Sequence, residues 1–188
     1  MRDTFTAQEG AAFVTGDGIN QPKGFLSYPT ADNAAWSWGN IGTIASGADG
    51  AFKSTAPADP LIDLVYALKS TYRTKGRVVM NRLTQSALRK LKDGQGNYIW
   101  QPSLGAEFEA KLLGFPVTEC DDKPDLSTGS LSLAFGDFSS GYLVVDRKGA
   151  HVLRGPFSAK PYVLFYTTKR VGGGIQDFGA IKAMRFSV

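Results

Sequence analysis

The sequence predicts an α+β fold. Three observations lead there. Helical periodicity is concentrated in the first half of the chain, around residues 2–14, 59–68 and 84–93. After residue 130 the chain is rich in Val, Leu, Tyr and Phe, which favour β structure. Glycine is abundant, with 22 among 188 residues, against roughly 7% in average usage. These glycines are dispersed, so they signal turns and strand ends rather than a collagen-like repeat or a linker. Helices in the middle followed by antiparallel-looking strands do not make a regular βαβ alternation. There is no internal repeat.

Taken in order, Phe5, Ala12 and Phe13 fall on one helical face, and Gly16-Asp17-Gly18 supplies a stop. Gln21-Pro22-Lys23-Gly24 is a second turn. A short strand is expected near Ile41–Ile44, within a Trp-, Gly- and Ser-rich stretch. Asp59 is expected to cap the next helix, with Pro60 in its first turn. Leu61, Leu64, Val65 and Leu68 give that helix its apolar face. Arg77–Asn81 reads as a strand. Thr84 is the expected cap of the following helix, with Leu83 and Leu88 spaced as a hydrophobic staple, and Asp93-Gly94 ends it. Strands are expected at Tyr98–Gln101 and Phe115–Glu119, with a short helix around residues 106–113. Leu131–Phe135, Tyr142–Asp146, His151–Arg154, Tyr162–Val171 and Ala180–Phe186 complete the strands.

Composition narrows the chemistry. Hydrophobic residues make up 43% and charged residues 20%, and the formal charge is +4. That is ordinary for a globular chain and far from the dense basic surface of a dedicated nucleic-acid binder. One cysteine, Cys120, leaves no internal disulfide framework, and one histidine, His151, leaves no multi-histidine metal site within a chain. The first residues are polar and carry no apolar secretory core, and no run of about 20 apolar residues is present. The default expectation is a protein of, or assembled in, the cytoplasm, with no membrane partner.

Candidate catalytic or binding motifs all have a simpler structural reading. Asp93-Gly-Gln-Gly-Asn97 resembles the start of a calcium loop, but the positions that need Gly and Glu hold Tyr98 and Leu104, so a turn is the better reading. Gly172-Gly173-Gly174 lacks the Lys-Ser/Thr of a phosphate loop and reads as a bend between two strands. Asp17, Asp121 and Asp122 suit surface turns. A hydrolase built on the Asp17 turn is the enzyme reading that competes. Acidic neighbours raise the Cys120 thiol pKa, so Cys120 reads as a packing residue. His151 sits in a strand pattern without a nucleophile partner. Arg147, Lys148, Arg154, Lys160, Lys169 and Arg170 alternate with Asp137, Asp146 and Asp177, a mixed surface suited to salt bridges between subunits. No catalytic constellation and no cofactor site emerges, which points to a binding or structural protein.

The ordered motifs carry a resemblance. Glu9-Gly-Ala-Ala-Phe13-Val-Thr-Gly16-Asp17-Gly18 followed by Gln21-Pro22-Lys23-Gly24 resembles the end of the spine helix of tailed-phage major capsid proteins. Leu61–Leu68, Tyr72-Arg73, Val79-Met80-Asn81-Arg82, Leu88–Leu91 and Leu113–Val117 follow in that family's order. Phe135-Gly136-Asp137-Phe138, Gly141-Tyr142, Asp146-Arg147-Lys148-Gly149 and Lys169-Arg170-Val171-Gly172-Gly173-Gly174 close the set. The fold implied is the Hong Kong ninety-seven-like capsid fold.

The resemblance implies a non-catalytic shell subunit that forms pentamers and hexamers of an icosahedral head around DNA, held without sequence specificity. The alternative is an encapsulin-like bacterial compartment shell. Residues 1–29 are expected in the peripheral (P) domain and 30–130 in the axial (A) domain. Residues 131–175 are expected as peripheral strands, and 176–188 as a strand returning to the axial domain. Partners implied are further copies, scaffold, portal and maturation protease, with no small-molecule substrate. The implied location is the virion capsid, assembled in the host cytoplasm. Family-motif and assembly residues are Glu9, Phe13, Gly16, Asp17, Gly18, Pro22, Gly24, Asp137, Asp146, Arg147, Arg154, Lys169 and Arg170. Family members carry an N-terminal arm, an extended loop and most of the spine helix before this point, so the sequence is expected to represent the C-terminal part of a longer, truncated capsid protein with impaired assembly. No crosslinking residue is carried over.

Overall fold

The computed structural model describes residues 2–100, 110–159 and 161–188. Helix α1 (Arg2–Thr15) opens the chain. It leads through a turn and a 3-10 turn (Phe25–Ser27) to β1 (Thr30–Asp32) and β2 (Ile41–Ala45). Then come α2 (Asp59–Tyr66), α3 (Ser70–Arg73), β3 (Arg77–Met80) and α4 (Arg82–Arg89). Strands β4 (Lys111–Leu112), β5 (Phe115–Glu119) and β6 (Leu133–Gly136) precede the short α5 (Phe138–Gly141). Two long strands follow, β7 (Tyr142–Ala159) and β8 (Tyr162–Ile175), and β9 (Ile181–Arg185) ends the order.

Seven strands form one mixed sheet in the order β1-β2-β9-β6-β3-β5-β4, while β7 and β8 form a separate antiparallel ribbon. Strand β6 lies at the centre of the sheet and is buried at every residue. Because side chains alternate across a sheet, it serves two cores. Leu133 and Phe135 enter the larger one, with Leu61, Leu64 and Val65 of α2, Leu68, Leu88 of α4, Val78, Met80, Met184 and Phe186. Ala134 faces the other way and packs with Val14 of α1 and Phe25. The second core joins the helix–ribbon unit to the sheet. The stretch 131–175 is therefore shared: its first strand is the middle of the large sheet and its remainder is the ribbon.

The α2 face and the expected strands other than Tyr98–Gln101 are found, and several details differ. Asp59 is the first helical residue and not the cap; Ala58 precedes it in an α conformation, with no side-chain cap. Thr84 is not the cap of α4 either. Asn81 holds that place in an extended conformation, and its Oδ1 accepts from the Thr84 N–H at 2.7 Å. Asn81 is fixed there because its Nδ2 donates to the Lys123 carbonyl and to Asp125 Oδ1, at 3.2 and 2.6 Å. Leu83 is 55% exposed while Leu88 is buried, so the staple does not form. Helix α4 ends at Arg89, short of Asp93-Gly94.

Around Tyr98 a single bridge to Lys92 replaces the expected strand. The turn between them is held by Asp93, whose Oδ1 accepts from the N–H of Gln95 and of Asn97. Residues 101–109, and with them most of the expected helix at 106–113, lie outside the described residues; Lys111–Leu112 is strand. The polar stretch between Asp146 and His151 does not separate two strands. It is absorbed as register shifts within the continuous β7, as β-bulges do. Gly172–Gly174 is no bend between strands either. It pairs within β8, opposite Val145, Val144 and Leu143. A Cβ on Gly173 would stand 2.6 Å from the Tyr142 hydroxyl and 3.2 Å from the Phe13 ring, so glycine there lets the ribbon lie close to α1.

Candidate assembly interface

The predicted residues converge on the junction of α1, the turn after it and the base of the ribbon. Glu9 on α1 meets Lys169 on β8, with Nζ 2.9 Å from Oε2 and 2.7 Å from Oε1. Asp146 on β7 approaches the same ammonium at 3.9 Å. The Glu9 hydrogen bond raises the Lys169 pKa, so the ammonium keeps its charge throughout the neutral range. One turn along α1, Phe13 packs edge-on against Tyr142, ring centres 5.9 Å apart. The Tyr142 hydroxyl donates to the Lys23 carbonyl at 2.9 Å, and burial pushes its pKa up to about 12. The Tyr28 hydroxyl accepts from the Ile175 N–H at 3.2 Å.

The two predicted turns clamp the end of α1. Gly24 N–H donates to the Gly16 carbonyl at 2.9 Å, and Gly16 N–H donates to the Ala12 carbonyl at 3.0 Å. Asp17 holds the loop open between them. Its Oδ1 accepts from the Ile19 N–H and from Gln21 Nε2, both at 2.8 Å, and these bonds, Gln21 first, keep its carboxyl below the usual range. A Cβ on Gly24 would collide with the backbone of Val14 and Thr15. Gly24→Ala is therefore expected to cost about 1–3 kcal/mol, read as a lower urea midpoint with an unchanged slope. Gly18 has φ of +85°, the left-handed region that favours glycine.

An open cleft of about 1080 Å³ runs along this junction. Glu9, Gly16, Pro22, Arg147, Lys169 and Arg170 line it together with Phe5 and Val145. Two predicted residues lie elsewhere. Asp137 caps α5; burial opposes its charge, but Ser139 and Ser140 donate to it and its pKa falls below the carboxylate norm. Arg154 is exposed farther out on the ribbon. Lys160 is outside the described residues. The Cys120 thiol is pushed up by burial, which agrees with the packing role. His151 is exposed on β7. Among the described residues no group of three or more metal-ligating side chains gathers, and no helix is long and apolar enough to cross a membrane.

Sequence reasoning missed the ribbon's apolar surface. Leu153, Leu164 and Tyr166 are 59%, 48% and 68% exposed, and Val152, Val163 and Phe165 are 54%, 41% and 59% exposed. Leu153 pairs with Tyr166 and Arg154 with Phe165. Paired residues share a face and neighbours alternate, so both faces are apolar. The signal was present: Val163-Leu-Phe-Tyr166 is an unbroken apolar run, the pattern of a strand covered on both sides.

A model of the phage capsid family matches residues 1–186. The chain belongs to the phage capsid family. Over its full length it is 46% identical to the capsid chain of an empty gene transfer agent (GTA) particle computed with C5 symmetry, with a TM-score of 0.94. The capsid of the native GTA particle gives the same identity and TM-score. The chain spans 64% and 63% of those two capsid chains. A Gordonia phage Cozz structure is 13% identical, with a TM-score of 0.57 over the whole chain and 61% of its own, a likeness of fold alone. No curated protein matches the chain. The fold of this family member is Hong Kong ninety-seven-like.

Proposed function

We propose that the protein is a structural major capsid protein that self-assembles into the pentamers and hexamers of a phage-like icosahedral head. The observation that carries this is the naked ribbon. An isolated two-stranded ribbon is marginal in water, and large apolar side chains exposed on both faces mark an interaction surface. A lattice of identical copies supplies cover for both faces. The 46% identity to GTA capsid chains supports the same reading.

In this reading the seven-stranded sheet with α2–α4 is the axial domain, and α1 with the ribbon is the peripheral domain. The boundary falls at Asp137, after β6, rather than near residue 130. The role is non-catalytic. Scaffold, portal and maturation protease are its assembly partners, DNA is enclosed without sequence readout, and assembly takes place in the host cytoplasm. The cleft residues Glu9, Arg147, Lys169 and Arg170, with Asp146 beside Lys169, fix the angle between helix and ribbon, while Arg154 contributes charge to the contact.

The test is assembly of the complete gene product, followed by electron microscopy and light scattering. Wild-type protein is expected to give rings or shells. Leu153→Asp combined with Phe165→Asp puts a charge on each ribbon face and is expected to abolish them, while the melting temperature of the dissociated subunit stays within a few degrees. Shells formed equally well by the double variant would remove the ribbon from the interface.

A further inference from the structure

Lys123 is a buried ionisable side chain with no role in the ribbon contact. Lys123 lies in the turn after β5, closed by its N–H donating to the Cys120 carbonyl at 3.2 Å. Only 3% of it is exposed. Its Nζ has no hydrogen-bond partner among the described residues and stands 5.1 Å from the centre of the Phe25 ring. Phe25 belongs to the second core with Val14 and Ala134, against which Leu26, Cys120, Phe138, Tyr142 and Ile175 pack. The amine is thus inserted at the seam between the helix–ribbon unit and the large sheet.

Among the described residues, the elements around that seam offer it no counter-charge. Val14 of α1, Phe25 and Leu26 of the 3-10 turn and Ala134 of β6 are apolar. Lys23, just before that turn, sits over the Tyr28 ring at 4.2 Å. Asp122 on the same turn as Lys123 lies against α1, with Oδ2 3.1 Å from where a Cβ on Gly10 would be. Asp137 beside Phe138 gives its oxygens to Ser139 and Ser140. Tyr142 donates to the Lys23 carbonyl. Among the described residues the Cys120 thiol is the titratable group that favours the charged amine, and that thiol is itself pushed up by burial. A neutral amine on an apolar stem fits such a site; an ammonium without an acceptor does not.

We propose that Lys123 is a proton-operated latch between the helix–ribbon unit and the seven-stranded sheet. Neutral, it completes the apolar seam and locks the two units together. Protonated, it draws water or leaves the seam, and the ribbon is freed to change its angle to the sheet. Burial pushes the amine down to about 7, which places the switch in the neutral range. The proposal does not depend on what the ribbon binds.

Hydrogen exchange tests it on the chain as it stands. The Gly24 and Ser27 amides, bonded to the Gly16 and Gly24 carbonyls at 2.9 and 3.1 Å, report the seam. After correction for intrinsic exchange, their opening constant in the wild type is expected to fall about tenfold per pH unit from pH 7 to 9, the slope of one linked proton. In Lys123→Met the pH dependence is expected to vanish. Lys123→Arg, charged throughout, is expected at pH 9 to open as readily as the wild type does at pH 7. Equal pH dependence in wild type and Lys123→Met overturns the latch. So does a Cε NMR titration that places the wild-type amine near 10, and that measurement decides alone where a variant does not fold.

Discussion

Replacing Phe135 by alanine is expected to lower the unfolding free energy by about 3–5 kcal/mol, read from urea melts. Phe135 is fully buried in the central strand. Its ring meets Phe115 edge-on at 4.9 Å, and its backbone pairs with Val78 on one side and Lys182 on the other. Strands on both sides hold the site open, so the gap left by the ring cannot readily collapse. Gly76 provides an internal control. A Cβ there would stand 2.5 Å from Phe135 Cζ and 2.8 Å from Cε2. Gly76→Ala alone should therefore destabilise through overpacking. In the Phe135→Ala background the same methyl enters vacated space and its cost should largely disappear. A double-mutant cycle reads that coupling directly. Additive costs would mean that the ring does not lie over Gly76.

How much of this was legible in the sequence depended on range. The spacing of Leu61, Leu64, Val65 and Leu68 alone defines one helical face, and all four are buried. The turns at Gly16 and Gly24 were legible because turn chemistry is local. The cap of α4 was not, because Asn81 is chosen by bonds to the Lys123 carbonyl and Asp125, far along the chain. Sheet order was equally out of reach: β9 lies between β2 and β6, and nothing near residue 181 encodes that. At the junction, each partner of the Glu9–Lys169 pair stood among the motif residues, but their meeting needs the fold. Lys123 sat in a polar, charged loop, Asp121 to Gly129, whose composition reads as solvated surface. Its burial follows from the approach of a distant part of the chain, with Phe25 against the amine.

The uncovered ribbon and the uncompensated lysine are related. Natural chains cover apolar strands and pair buried charges, because each omission has a cost. Here both omissions flank one seam, since the second core that buries Lys123 also holds the ribbon base through Tyr142 and Ile175. If assembly covers the ribbon, as proposed, a subunit gains from a joint that can still adjust.

Lys123→Met is accordingly expected to stabilise the protein, and to do so more at low pH than at high. The amine has a folded-state pKa of about 7 against an ordinary 10.5. Between those values the unfolded chain holds the proton and the folded chain does not, so wild-type stability rises with pH, by about 1.4 kcal/mol per unit. The penalty is fully present below pH 7, up to about 5 kcal/mol, and is gone above pH 10.5. Methionine keeps the length and apolar stem of lysine and removes the charge. Its advantage should therefore be largest at or below pH 7 and shrink steadily toward pH 9. Urea melts of both proteins at pH 6, 7, 8 and 9 give the comparison, in a window below the ionisation of Tyr142 near 12. Two stability curves that run parallel across that window would show that Lys123 is charged or solvated in the folded protein, and the steep convergence of the two curves is the signature of a buried, neutral amine.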